Sequence, residues 1–479
     1  MSSPISNTDM RERAEKEEQQ HTAHRDGHDL SSSSSLGEQT SEKAEVDSAQ
    51  HDSSPTAAPP AAAAGPPKGP PLPPGVSPPP NGGLTAWLQV LGSWMLFFNT
   101  WGILNTFGVY QTYYESGALF NETSSNISWI GAIQAFLVLL VGTFTGPLYD
   151  RGYFRLLLVV GAFGVVFGHM MLSLCHEFWQ VILAQGFVIG LGAGCLFTPA
   201  VAIMPSWFSS KIGLAIGLAA SGSSTGGILY PIAFYRLIDQ IGFGWSVRVL
   251  GFIALGTLMV PLAVMKMRFK PPRARDLIDW TAFRDVPYMT FVAGALIGYI
   301  GLYVAFFYIS FYGQQQRITS DSMSFYLVPI LNAGSVFGRT LPNWLSDYTG
   351  PLNTVIPGAL ITGTLILTLI AVHSSAALIV EAVLLGFFSG IYIALPPVIF
   401  VSLTPDKSRI GTRIGMGMGM LSLGVLAGGP GGGGILQRKG LENLDWTGAW
   451  VYGGVCTIAS GCLFCVVRFM RAGVKIKKV

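Results

Sequence analysis

The sequence predicts an all-α integral membrane protein of twelve transmembrane helices, arranged as two six-helix bundles related by a parallel repeat. Three observations carry that expectation: a low content of charge, a succession of long apolar runs, and an echo between the two halves of the chain. Of the 479 residues, 50% are hydrophobic and only 11% are charged, where a soluble protein carries about 25% charged residues. Twelve apolar runs separated by short polar loops follow one another from Leu84 to Met470. As helices, runs of about 20 residues cross a hydrocarbon core of about 30 Å.

The echo is local and ordered. "SKIGLAIGL" from Ser210 matches "SRIGTRIGM" from Ser408 at an offset of 198, and Pro199 and Pro397 share that offset. "LYD" ending at Asp150 and "LSD" ending at Asp347 are 197 apart. Two halves of six spans in the same direction form the parallel repeat found in secondary transporters. The expected boundaries are a cytoplasmic tail over 1–83, a first bundle over 84–266, a connector over 267–286, a second bundle over 287–471 and a short basic tail over 472–479.

The tail is a different polymer from the rest. Its first eighty residues hold twelve acidic against six basic residues, a run of five serines and a long Pro/Ala stretch. Such a segment buries too little apolar surface to offset its ordering entropy and reads as disordered. It has no apolar core near Met1, so the first span, not a cleaved leader, is the expected insertion signal. Counting the tail as inside, the even-numbered loops and the C-terminus hold most of the Lys and Arg, among them Arg151, Arg155, Lys266, Arg273 and Lys407. The odd-numbered loops hold only Arg317, Arg438 and Lys439. This asymmetry places both termini in the cytoplasm. Two glycosylation sequons, at Asn121 and Asn126, share the loop after span 1, on the expected outer side. The five cysteines lie in or beside apolar runs and read as small buried residues.

"GPLYDRGYFR", with Gly146, Asp150, Arg151 and Gly152, resembles the loop motif between helices 2 and 3 of the major facilitator superfamily. "NGGLTAW" from Asn81 and "WFSSKIGLAIGLAASG" from Trp207 resemble signatures of its monocarboxylate-porter family, most of all the fungal branch, whose members include vitamin and organic-acid carriers and metabolite exporters. The resemblance spans residues 81 to 471. It implies that Asp150 and Arg151 latch one bundle to the other, with Asp347 as the repeat partner. It also implies that an arginine of span 8, here Arg339, binds a substrate carboxylate. The acid that normally stands four positions earlier is Ser335, and a lysine of span 1 tied to proton-coupled uptake is replaced by Asn105.

Glycines recur about four apart in spans 4, 5 and 11, as expected of faces that let helices approach closely. The run "GGPGGGG", Gly428 to Gly434, disfavours helix by about 8 kcal/mol on aqueous propensity. With Gly428, Pro430 and Gly431 it is expected to be a broken, bendable gate at the outer end of span 11; an interfacial loop is the plainer alternative. Polar residues within spans mark either interhelical hydrogen bonds or substrate contacts. Asn99, Asn105, Gln134, Gln185 and Asn332 are such residues, and with Arg339 the last four are the candidate substrate site. Glu381, Arg248 and Arg413 are expected to reach solvent near the span ends.

No phosphate loop, no H-E-x-x-H and no catalytic pair of carboxylates appears in the spans, so the expectation is a non-enzymatic transporter without metal or cofactor, with proton coupling open. The expected partners are a small-molecule substrate, a carboxylate or other organic metabolite, and the lipid bilayer, with no nucleic acid and the chain acting as a monomer. Efflux of a fungal secondary metabolite is the leading function. Proton-linked uptake of a monocarboxylate or vitamin, and a sensor on a transporter scaffold, are the alternatives. The expected location is the cell membrane, or an internal membrane if Lys475 and Lys477 form a retrieval signal.

Overall fold

The backbone of the spans follows from the lack of water in a bilayer, where only a helix bonds all of its own peptide groups. The computed structural model describes residues 79–208, 211–268, 276–406, 409–440 and 443–473, and among these there is helix and no strand. The tail over 1–78, most of the basic stretch of the connector, Lys475 and Lys477, and the side chain of Asp347 lie outside the described residues.

Helix α1 comes in three pieces, Leu84–Asn99, Trp101–Asn105 and Phe107–Glu115. At its breaks the Thr100 and Thr106 hydroxyls donate to Leu96 O and Gly102 O, each at 2.9 Å, a side-chain return to the preceding turn that bends helices. α2 (Ser124–Asp150) starts under a Thr123 cap, and α3 (Phe154–Leu172) follows after a tight turn. α4 runs through Phe178–Val181, a π-helical stretch Ile182–Ile189 and Gly190–Ala202. α5 and α6 share the continuous segment Ile212–Val264 and are divided at Gly242, whose φ of 72° is accessible to glycine at little cost. The second half holds α7 (Val286–Gln315), α8 (Asp321–Thr349), α9 (Pro351–Thr368), α10 (Ser375–Ala394, continued by Pro396–Leu403), α11 (Ile410–Leu436) and α12 (Trp446–Ala472). Asp285, Ser320, Ser374 and Asp445 cap α7, α8, α10 and α12 with their side chains. Large apolar side chains such as Val159, Phe163 and Phe167 point outward along α3, the surface a bilayer covers.

The two ends of the bundle can be named by Asn121, in the loop after α1, and by Asp150, at the end of α2. Within the first half α1 packs on α5 and α6; within the second, α7 packs on α11 and α12, and α8 on α10. The halves meet through α2 with α11, α5 with α8, and the end of α1 with α7. Gly222 and Gly226 of α5 serve the inside of the first half: a Cβ on Gly226 would lie 2.5 Å from Phe98 O and 2.8 Å from Gly102 Cα. Those of α11 divide. Gly415 and Gly419 face Thr143 of α2, whose hydroxyl donates to Gly415 O at 2.8 Å, while Gly428 approaches Ile300 of α7.

The run Gly428 to Gly434 is neither broken nor a loop: α11 continues through it to Leu436. Water that would compete for its peptide groups in solution is excluded, so hydrogen bonding overrides propensity. The glycines instead bring α11 against α2 and α7. A Cβ on Gly433 would lie 2.5 Å from the Tyr308 hydroxyl and 2.8 Å from the Ser125 backbone, whereas one on Gly434 would meet nothing within 4 Å.

Two charged residues, Glu381 and Arg413, depart from expectation, while Arg248 stays partly exposed at its span end. Arg248 donates to the Ser173 hydroxyl at 3.0 Å and lies over the Trp245 ring. Glu381 is buried and accepts from Thr368 Oγ1 at 3.0 Å. Arg413 does not reach solvent. The connector folds back beneath α11, where Asp279 caps a 3-10 turn, Trp280–Arg284. There Arg413 Nε lies 2.9 Å from Asp279 Oδ2, and its Nη1 2.7 Å from Asp285 Oδ2. The Tyr288 hydroxyl donates to Arg413 O at 2.6 Å. Burial alone would raise the Asp279 carboxyl, but bonds from Thr281, Arg413 and Arg409 outweigh it and hold it well below the usual carboxylate range. Asp279 therefore contributes stability that is fully present above the ordinary carboxyl value of about 3.9 and is lost as pH falls below it.

Two outcomes follow from this packing. Gly433→Ala should lower the amount of folded protein in the membrane and Gly434→Ala should not, as read by fluorescence-detected size exclusion; equal behaviour would refute close packing of this segment. Arg413→Met should cost about 3 kcal/mol, leaving Asp285 without its cation and Asp279 with Arg409 alone, while Arg409→Ala, half exposed in its pair, should cost only about 0.2–1 kcal/mol. Thermal unfolding in detergent at neutral pH compares them.

Candidate functional site

Asn332, Ser335 and Arg339 are three and four residues apart on α8 and so share one face. Opposite them, Ser223 and Gly227 are four apart on α5. Gly227 leaves room for the Asn332 amide, since a Cβ there would lie 2.5 Å from Asn332 Oδ1. Asn105 of α1 donates to the same oxygen at 3.0 Å, and the Asn332 amide nitrogen returns to Val328 O at 3.0 Å. These residues stand on both halves of the molecule. A small cavity of about 10 Å³ lies here, lined by Leu104, Asn105, Tyr303, Phe307 and Asn332 among others. That is room for about one water, so this conformation is closed around the site.

Arg339 is the charged element of the site. Only 4% of it is exposed. It lies ten residues before the end of α8 at Thr349, roughly 15 Å along the axis and beyond the reach of its own side chain. Its Nε donates to Ser335 Oγ at 3.1 Å and its Nη1 to the Ser223 hydroxyl across the junction. Among the described residues no carboxylate lies within 4.0 Å of it. Tyr299 and Tyr303, four apart on α7, stand near the guanidinium, and the buried Tyr299 hydroxyl has no hydrogen-bond partner among the described residues. A buried cation held by two neutral hydroxyls, beside an unpaired phenol and aromatic rings, can accept an anionic group in two-point contact.

The remaining candidates fall elsewhere. Gln185 accepts from the Tyr114 hydroxyl at 2.8 Å inside the first half. Gln134 is fully buried, and neither of its amide atoms finds a partner among the described residues. Asn99 is interhelical glue: it donates to Thr257 at 2.8 Å and accepts from Tyr230 at 2.6 Å. Asp150 is buried at the last residue of α2 and Arg151 is exposed beside it. Pro430 O accepts from the Ser125 hydroxyl at 3.1 Å across the junction, within the segment that also holds Gly428 and Gly431. Asn121 is exposed in its loop, but Asn126 lies in the first turn of α2, where its amide donates to Glu122 at 2.8 Å. Ser223 and Tyr299 escaped the sequence reading. The offset of four between Ser223 and Gly227 was the available signal for the first; a tyrosine in an aromatic-rich span gives none.

Two halves that close around a buried polar axis, within a bundle of apolar helices, define a carrier of small solutes rather than a channel or a receptor module. The chain belongs to the major facilitator superfamily: that family's model matches residues 83–361. It is 62% identical over 386 residues to the MFS-type transporter dbaD of Emericella nidulans, covering 81% of this chain and 86% of that one. It is 37% identical over 364 residues to the aspyridones efflux protein apdF of the same organism, covering 76% and 74%. The fold is similar to that of the peptide transporter POT crystallised with sulfate, with a TM-score of 0.63 at 12% identity over 81% of this chain and 96% of that one.

Loss of the cross-junction amide pair tests the geometry of the site itself. Asn332→Leu should leave the fold intact and change transport, because Asn332 joins α8 to α1 without anchoring either half. Transport equal to the parent at equal membrane level would remove Asn332 and Asn105 from the site.

Proposed function

We infer that this protein is a secondary active transporter that exports an acidic secondary metabolite of a fungus by rocking its two halves about the Asn105–Asn332–Arg339 axis. The observation that carries this reading is Arg339. A cation at bilayer depth costs about 2.5–3.5 kcal/mol on insertion scales, and here it has hydroxyl partners only among the described residues. An anionic substrate supplies the missing charge. The name of the aspyridones efflux relative supports export, and the aromatic lining suits a planar, ring-bearing acid. Within the superfamily the signatures at Asn81 and Trp207 favour the monocarboxylate-porter-like branch. The loop after α1 is read as extracellular, with Asn121 as its glycosylation acceptor; the Asp150 end is cytoplasmic, the chain a monomer in the cell membrane, and protons the coupling ion.

Vesicles loaded with a panel of aryl carboxylic acids, followed by mass spectrometry, test the substrate site. Arg339→Lys should reach the membrane and lose at least about tenfold in rate, because an ammonium cannot reproduce the planar two-point contact. Near-normal transport in Arg339→Lys, with loss of protein in Arg339→Ala, would make Arg339 a packing residue. Orientation has its own check: Asn121→Gln should remove a glycan-dependent mass shift, and a shift that persists or never existed would count against an outward loop.

A further inference from the structure

A carboxylate stands at the junction of the halves without a cationic partner among the described residues. Glu115 ends α1 and is half-buried. Its Oε1 accepts from Gln111 Nε2 at 2.6 Å and its Oε2 from Ser124 Oγ at 2.8 Å. Among the described residues no cationic nitrogen lies within 4.0 Å of it. The chain of bonds continues into the other half. Gln437, just past α11, donates from Nε2 to Ser124 Oγ at 3.0 Å. Tyr308 of α7 places its hydroxyl 3.1 Å from Ser124 O and 3.2 Å from Gly429 O. Of the charged groups in the neighbouring segments, Arg438 and Lys439 pair with Asp445, Glu122 accepts from Asn126 and Asp321 from Gln314.

The proton count fixes the polarity of this chain. The Ser124 hydroxyl accepts from Gln437, so its single hydrogen turns to Glu115, whose two oxygens both accept. An ionised carboxylate satisfies every bond. A proton on Oε1 would face the Gln111 N–H group. A half-turn of the Gln111 amide resolves that conflict by presenting Gln111 Oε1, which is buried and has no partner among the described residues. The same turn withdraws the Gln111 nitrogen from Ser124 O, now 3.5 Å away. The two protonation states thus have two different hydrogen-bond arrangements, and only the ionised one polarises the path from Glu115 through Ser124 to Gln437.

We propose that Glu115 is a proton-sensitive latch, with Gln111 as its positioning residue, and that protonation loosens α2 from α11 at the Asn121 end. This rests on the transport reading above. Hydrogen bonds to an ionised acceptor are roughly twice as strong as neutral ones, so the ionised form favours the closed junction and, by linkage, closure releases the proton. With this end outside, an acid medium favours the open outer face and a neutral medium the closed one.

The test needs no substrate. Full-length protein in lipid nanodiscs, its native cysteines replaced, carries spin labels at Glu122→Cys and Gly434→Cys, and electron–electron resonance reads the spacing of α2 and α11. Between about pH 8 and pH 5 the longer-distance population should grow roughly fivefold. Glu115→Gln should show the acid distribution at both values, Glu115→Asp should keep the response, and Gln111→Leu should move its midpoint. A Glu115→Gln protein that keeps the parent's pH response, or a parent with none, overturns the proposal. Because labels report the junction directly, a pH response without export of any acid in the panel would uphold the proton site and sink the export reading. Export that is indifferent to pH, with no response of the labels, would do the reverse.

Discussion

Inside a bilayer nothing but protein can bond a peptide group, and lipid tails offer helices no reason to prefer one another to solvent. Everything in this fold works within that constraint. Gly428 to Gly434 stays helical because leaving the helix would strand peptide groups, each at a cost of several kcal/mol. The lack of side chains then becomes useful: it lets α11 come within van der Waals distance of α7 and α2 at Ile300, Ser125 and Tyr308. The same economy brings Gly226 of α5 against Gly102 of α1. Attraction comes from contact area at short range and from hydrogen bonds that short range permits.

Two buried arginines show how differently one constraint can be met. Arg413 sits at the mouth of α11 and is neutralised by carboxylates that the connector folds back to it. Such a group is structural, since a fixed charge with fixed partners has no reason to exchange them. Arg339 lies deeper, and hydroxyls of Ser335 and Ser223 satisfy its geometry without balancing its charge. Hydroxyl bonds to a cation contribute about 1.5–3 kcal/mol each, enough to hold the side chain in place while leaving it able to take an anion. The difference between anchor and site is therefore the presence or absence of a carboxylate partner, not burial, which is nearly equal.

The architecture was legible because length and apolarity encode spans directly. Nine continuous helices have the length and apolarity to cross a bilayer among the described residues; one of these is the α5–α6 segment, divided at Gly242. α1 falls short because threonines break it, and α8 because its site residues dilute its apolarity. The face of α8 was legible too, since Asn332, Ser335 and Arg339 follow helical spacing. What sequence hid was tertiary. Nothing local to Arg413 says that "DLIDW", over a hundred residues earlier, will fold under it. A glycine run scored on aqueous propensity looks broken because the scale assumes water. Glu115 reads as a loop acid until Ser124 and Gln437, from two other segments, are placed beside it.

The distribution of bond types bears on motion. The ion pairs of Arg409, Arg413, Arg438 and Lys439 stay within the second half and its connector. Inside each half the glycines set backbone against backbone, and such contacts cannot slide without clashes. Between halves, Arg339 donates to Ser223, while Asn105 to Asn332, Thr143 to Gly415 O, Ser125 to Pro430 O and Tyr235 to Ser322 join neutral groups. A neutral hydrogen bond contributes only about 0.5–1.5 kcal/mol net, and each of these groups can trade its partner for water or substrate as a cleft opens. Ion pairs thus fall where the bodies must stay stiff, and weak, exchangeable neutral bonds lie among the contacts that must part. In such a joint, one added charge at Glu115 or one bound anion at Arg339 is comparable to the whole energy of several cross-junction bonds, which is why so few residues suffice to set its position.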